Sequence, residues 1–378
     1  MPYVNSSMSA DGGNGVATDA DDLIRNKVAT FLTSATQFPT ASNRWTRSKA
    51  DVSIGTKEYE VFLAPPSGAS NVPYMNFHTR DARIFLFPST GFSGTEPAYD
   101  QPGCPTTQPD DPAGGPVGPS WETSDRHECQ WVNVMGAGPY LDHHIFAPND
   151  GRYCYVAVQC ATRKWRHFWF GSFNKYHANL TGGEFCFGLF WDQSLSTIDK
   201  PYNSAHCLPG ESANNSVEAM QGGVFRCPSI RSVSSISWYN LTNKSTFTDE
   251  YSSVQPGTGF SQVNNATQTI GRGICTGRGA SLGTLFFRMD QSPLSNLISF
   301  FPFILFGQVD FDGDIRYCAI GEVPDVFRIN MKNFTPGALI TVGSDDYRVF
   351  PVVNSDVINT LADQEYSGYE GYAYKVTP

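Results

Sequence analysis

Residues 141–185 read LDHHIFAPNDGRYCYVAVQCATRKWRHFWFGSFNKYHANLTGGEF, and two β-compatible runs, 153–159 and 165–173, sit at their centre. Both runs are rich in aromatic and β-branched residues, and the link between them, Cys160-Ala161-Thr162-Arg163-Lys164, is short and partly charged. An antiparallel hairpin follows from that pattern. Strand alternation places Tyr153, Tyr155, Ala157 and Gln159 on one face and Cys154, Val156 and Val158 on the other. On the return strand Trp165, His167 and Trp169 oppose Arg166, Phe168 and Phe170. Rings on both faces mean that neither side is fully wet. Either two sheets enclose this hairpin, or one of its faces meets another subunit.

The composition around it points the same way. Only 16% of the 378 residues are charged, while 35 glycines, 25 prolines and 13% aromatics favour short strands and many turns over long helices. The expected fold is mainly β, an antiparallel sandwich or barrel-like body with one N-terminal α-helix and long loop insertions. A length prior of roughly 150 residues per domain suggests two or three units. The expected divisions are a flexible arm at 1–17, a helix plus main β domain at 18–320 with insertions at 95–119 and 211–268, and a C-terminal β hairpin and terminal strand at 321–378.

In chain order, Thr18 offers an N-cap and Asp19, Asp21 and Asp22 an acidic first turn, and Leu23, Ile24, Val28, Phe31 and Leu32 make one apolar face. These predict a helix over 19–32, with Trp45 packing back on it. Strands are expected at 57–63, 82–88, 185–191, 231–239, 282–289, 298–306 and 315–319. The segment 339–342, a tight connection at 343–346 and the return 347–351 form a hairpin with period-two alternation. The tyrosine-alternating tail 366–376 suits a terminal strand that closes this sheet or adds to a neighbour's.

The formal net charge is −10, and the only basic cluster is Arg163-Lys164-Arg166. A chain that binds nucleic acid along its surface needs a basic stripe, so sequence-specific nucleic-acid binding is not expected. Residues 1–22 lack the basic start and apolar run of a signal peptide, and the longest apolar run, 297–306, is too short for a bilayer span and reads as an interior strand. Nine irregularly spaced cysteines without a CxxC fit buried free thiols in a reducing compartment better than a disulfide framework.

Candidate chemistry is thin. Asp310-Phe311-Asp312-Gly313-Asp314 begins like a calcium loop, but Gly321 stands where the closing Glu is needed, so a charged turn is the better reading. His127, Cys129, His143 and His144 are metal-ligand types, yet adjacent histidines in a strand point to opposite faces. Residues 271–279, GRGICTGRG, match neither a phosphate-cradling loop nor a dinucleotide turn. His167, among rings in mid-strand, reads as a satisfied core histidine rather than a general base. No catalytic, cofactor-binding or metal-binding residue is therefore singled out, and no enzyme activity or cofactor is expected.

Four motifs together carry a resemblance: Phe31-Leu32-Thr33 before Trp45, WRHFWFGSFNKY at 165–176 followed by TGGEF at 181–185, PGALITVG at 336–343 with YRVFP at 347–351, and Gly371-Tyr372-Ala373-Tyr374. The chain resembles virion structural proteins of the neck and tail of tailed bacteriophages. That resemblance implies a virion protein, a structural subunit of a homo-oligomeric ring or tube of tail-terminator, collar or adapter type. It implies sixfold or twelvefold symmetry, neighbouring neck and tail proteins as partners, and no membrane span. The termini would join the copies, and the ring would bury the face left over by the hairpin. A second reading is a carbohydrate-binding or carbohydrate-cleaving tail module that uses exposed Trp165 and Trp169 as stacking platforms. A third is a capsid decoration protein.

Overall fold

The structure, a computed structural model, describes residues 1–7, 16–80, 83–104, 130–133, 138–162, 164–188, 223–229, 232–241, 271–275, 300–311, 314–331, 333–351 and 370–376. In chain order its strands are β1 (Tyr3–Ser7), β2 (Thr46–Arg47), β3 (Val52–Gly55), β4 (Glu58–Ala64), β5 (Tyr74–Arg80), β6 (Arg83–Ser89), β7 (Gln130–Asn133), β8 (Asp142–Phe146), β9 (Tyr153–Ala161) and β10 (Lys164–Ser172). They continue with β11 (Asn174–Lys175), β12 (Glu184–Gly188), β13 (Gly223–Ser229), β14 (Ser232–Leu241), β15 (Gly271–Cys275), β16 (Phe301–Phe311), β17 (Asp314–Asn330), β18 (Leu339–Val342), β19 (Asp345–Pro351) and β20 (Glu370–Lys375). Among the described residues these make a fourteen-stranded sheet in the order β1-β8-β9-β10-β12-β13-β14-β15-β16-β17-β20-β19-β18 with β11 beside β17, and a six-stranded sheet β2-β4-β5-β6-β7 with β3 beside β4. The fold is mainly β and largely antiparallel, and β14 and β15 run parallel. The sheet does not close into a barrel.

The hairpin β9–β10 has the expected alternation and lies between two cores. Cys154, Val156, Val158, Phe168 and Phe170 point into the first core, against Val61, Leu63, Phe77 and Leu86 of the small sheet and Leu23, Ile24 and Val28 of the helix. Tyr153, Tyr155, Trp165 and Trp169 point into the second, against Phe303, Val326, Phe350, Tyr372 and Tyr374 from the far half of the same large sheet. The large sheet therefore curls back over itself, giving three layers with the hairpin in the middle one. No apolar hairpin face is left over for another subunit, and that motive for a ring falls away. Trp165 and Trp169 are 2% and 1% exposed, so neither is the sugar platform expected of them.

Gly171 shows how closely the middle layer is built. It pairs with Tyr153 across the hairpin at φ +140°, and a Cβ there would lie 2.3 Å from the Tyr153 Cα. Only glycine fits such an approach.

The helix α1 comprises Ala20–Asp22, Leu23–Val28 and Ala29–Thr33, and the middle stretch is wound with i→i+5 bonds such as Ala29 N–H to Ile24 O. Its cap is Asp19, not Thr18: Asp19 Oδ1 accepts from Asp22 N, and Asp22 Oδ2 accepts from Thr18 N. The Thr18 amide is thus tied outside the helix and the first turn starts one residue later. Trp45 is buried in the first core, where its ring meets Phe170 edge-on at 5.6 Å and its Nε1–H donates to Gly151 O at 2.7 Å.

Several expected boundaries move. Residues 1–7, expected in a flexible arm, contain the edge strand β1, paired from Tyr3↔Phe146 to Ser7↔Asp142. The expected division at 320/321 falls inside the continuous strand β17. The C-terminal segment is no separate unit, because β20 lies between β17 and β19 with Tyr372 and Tyr374 fully buried. Of the expected insertion at 95–119, residues 95–104 pack on the small sheet through Ala98 and Cys104, beside Phe62, Phe85 and Phe87. Of the insertion at 211–268, β13 and β14 form a hairpin of the large sheet. The remaining parts of both insertions, and the strand expected at 282–289, lie outside the described residues. Among the described residues no helix is long and apolar enough to cross a membrane.

Candidate functional site

The residues weighed from sequence take structural positions. His167 is buried in a closed network: its Nε2–H donates to Pro351 O at 2.9 Å, Tyr374 O–H donates to its Nδ1 at 2.8 Å, and Trp169 Nε1–H donates to Tyr374 O at 2.8 Å. Burial pushes its pKa down to about 3, with Arg166 and His144 adding to the shift against the pull of the Pro351 carbonyl, so the ring is neutral. A base sealed from solvent with both nitrogens engaged meets no substrate.

His143 and His144 do point to opposite sides of β8. His144 faces the second core, with Nδ1 2.6 Å from Tyr3 Oη and Nε2 2.9 Å from Asp142 Oδ2. In the neutral tautomer the phenol donates to Nδ1 and the Nε2–H donates to the carboxylate. This Tyr–His–Asp line has the outline of an activated nucleophile, but burial raises the Tyr3 pKa, which leaves the phenol a protonated donor. Tyr3 also stacks on Phe146 at 4.9 Å, and Arg348 lies over its ring at 5.2 Å. The line is a latch that holds β1 on β8.

Asp310 and Phe311 end β16 and Asp314 begins β17, with Phe311 paired to Asp314, while 312–313 lie outside the described residues. Residues 271–275 of the glycine-rich stretch form β15, and 276–279 lie outside the described residues, as do His127 and Cys129. Cys104, Cys154 and Cys160 are buried free thiols whose pKa values burial raises, and Cys186 is buried as well. Among the described residues no group of three or more His, Cys, Asp or Glu side chains could hold a metal ion.

Among the described residues a polar cleft of about 580 Å³ opens at one end of the layers. Three connections wall it: 68–71 between β4 and β5, 150–152 before β9, and 172–178 around β11. Ser172 N donates to Arg152 O at 2.9 Å and joins the second and third connections directly, while the 42–43 turn bridges the other two through Gly68 N to Ser42 O at 2.8 Å and Asn43 Nδ2 to Asn149 O at 3.1 Å. Gly151 sits at φ +70° where a Cβ would lie 2.3 Å from Asn43 O and 2.9 Å from Pro66 Cγ, so the second connection packs against the 42–43 turn only at glycine. The walls are thus pre-formed.

The charges in the cleft are Arg152, Lys175 and Asp150. Lys175 Nζ donates to Leu180 O at 2.7 Å and Gly182 O at 3.2 Å, and the Asn71 amide is satisfied when its oxygen accepts from the same ammonium at 3.2 Å. The Arg152 guanidinium has less to do. Its Nε is 3.5 Å from Asp150 Oδ2, beyond good hydrogen-bond geometry, and is buried without a hydrogen-bond partner. Among the described residues the side chains of Arg152, Ser172 and Asn174 donate and accept no hydrogen bonds, although all three line the cleft. Sequence reasoning missed this site because its parts lie about 80 and 20 residues apart and none belongs to a motif.

Comparison with known protein families found no model that matches the chain, and comparison with curated proteins found no match.

Proposed function

We propose that the chain is a structural subunit of a tailed-phage particle, part of an oligomeric ring or tube in the neck or tail, joined by docking β1 of one copy on β8 of the next. The observation that carries this reading is the way β1 is held. Among the described residues it is the outermost strand at its end of the large sheet, it pairs with β8, and Tyr3 contacts His144, Phe146 and Arg348. Residues 8–15, MSADGGNG, separate it from Ala17, whose carbonyl accepts from Tyr140 N. Eight residues reach at most ~29 Å, enough for β1 to serve either its own β8 or a neighbour's. A terminal strand that can satisfy the same edge in cis or in trans is a low-cost route to assembly.

The role expected of the C-terminal tail is dropped, because β20 is an interior strand and its removal would open the second core. Among the described residues the large sheet ends in the edge strands β1 and β18, and both are sites for joining. Leu339 on β18 is 53% exposed.

A cysteine pair tests the exchange. Ser7 lies opposite Asp142 in the register, so S7C with D142C forms a disulfide within one chain if β1 stays at home and between chains if it is exchanged. On a non-reducing denaturing gel of assembled material, a ladder of linked chains is the expected result, with single-cysteine variants as controls. Linked species of monomer length alone would sink the exchange.

A further inference from the structure

We infer that the cleft walled by 68–71, 150–152 and 172–178 binds a monoanionic, carboxylate-bearing sugar through Arg152, with Ser172 and Asn174 taking its hydroxyls. Three observations converge on that class. The first is charge. Arg152 and Lys175 against Asp150 leave the cleft one positive charge in excess, on a chain whose formal net charge is −10. Lys175 has its donors engaged by Leu180 O and Gly182 O, so its charge supports the site while its hydrogen bonds do not. One net positive charge balances a carboxylate and leaves a phosphate dianion under-compensated.

The second is geometry. A guanidinium presents a planar fork that fits a carboxylate in two parallel bonds, and the Arg152 fork is held loosely by Asp150 at 3.5 Å and by its stack over Tyr153 at 5.5 Å. The third is the rest of the lining. The Ser172 hydroxyl and the Asn174 amide line the cleft unbonded among the described residues, and the Asp150 side chain is half-exposed beside them. Convergent donors and acceptors on a pre-formed polar wall suit a hydroxyl-rich ligand, and the volume lies within the range of small-ligand sites. This differs from the tryptophan-platform reading, whose rings are buried, and it does not depend on how copies of the chain assemble.

The test is titration of the full chain with sodium glucuronate, glucose, sodium acetate and inorganic phosphate, followed by isothermal calorimetry or ligand-detected NMR. Glucuronate is expected to saturate one site per chain, with glucose and acetate each on the order of tenfold weaker or more, since each lacks half of the recognised chemistry. R152Q is expected to weaken glucuronate by about tenfold or more without lowering the melting temperature, because the side chain holds no filled hydrogen bond in the fold. Should R152Q melt early, N174A serves instead, with an expected loss of roughly threefold. Absence of saturable glucuronate binding, unchanged binding by the well-folded variant, or phosphate binding more tightly than glucuronate would each overturn the inference.

Discussion

Replacing Trp169 by alanine is expected to lower the stability of the fold by about 3–5 kcal/mol, the range for removing a large aromatic side chain from a packed core. Trp169 meets Phe303 at 5.2 Å and Tyr372 at 4.9 Å edge-on, and Tyr155 at 5.7 Å, so its ring touches three strands besides its own. Its Nε1–H also holds the Tyr374 hydroxyl that donates to His167. W169A therefore opens a cavity and leaves a buried hydroxyl short of a donor at the same time. Equilibrium urea unfolding followed by far-UV circular dichroism measures the loss. Leu339→Ala, at an exposed position on β18, is the control and is expected to change stability by no more than about 0.5 kcal/mol. A W169A loss as small as that control would mean that Trp169 faces solvent and that the second core is wrongly placed.

Acid is expected to unfold the protein through its buried histidines. Burial holds the pKa of His167 down to about 3 and that of His143 to about 4, and Lys27 adds to the shift at His143 against the opposing pull of Asp142 and Asp22. In the unfolded chain both titrate near ~6.5. A folded pKa below the unfolded one contributes stability that is complete above about pH 6.5 and is lost as pH falls toward the folded value. Between roughly pH 6 and 4.5 the unfolded state takes up close to two more protons than the folded state at these sites. The slope is then up to about 2.7 kcal/mol per pH unit. Urea midpoints at a series of pH values check this, and H167Q, which cannot titrate, is expected to cut the slope by roughly half. A flat profile from pH 7 to 5 in the wild-type chain would show that these rings are solvated.

How much of this was legible in the sequence differs by element, for physical reasons. The central hairpin was readable because its alternation is uninterrupted and both faces are apolar, which forces a three-layer surround or a partner. The choice between those two was not readable, since it depends on Phe303, Phe350, Tyr372 and Tyr374 arriving from over 130 residues away. Strand β5 was missed because Asn76 and His78 look like solvent-facing residues. In the fold Asn76 Nδ2 donates to Phe87 O at 2.8 Å and Ser89 Oγ at 2.9 Å, and His78 Nε2 is 2.9 Å from Glu58 Oε1. A polar residue whose bonds are supplied by tertiary neighbours is invisible to periodicity.

Strand β1 was hidden differently. MPYVNSS has little intrinsic pattern, and its conformation comes from pairing with β8. The cleft was the least legible part. Arg152 reads as a surface arginine until its loop is tied to Ser172 by a main-chain bond and to Asn43 by a side-chain bond, and its significance rests on the hydrogen bonds it does not make.

The most direct measurement on the central claim is mass photometry of the full chain beside a chain lacking residues 1–7. The full chain is expected to form closed oligomers of defined size. The shortened chain, with β8 exposed and nothing to place on its neighbour, is expected to remain a folded monomer with a lowered melting temperature. Oligomers of the same size from both chains, or monomers alone from the full chain at every concentration tried, would contradict assembly through β1.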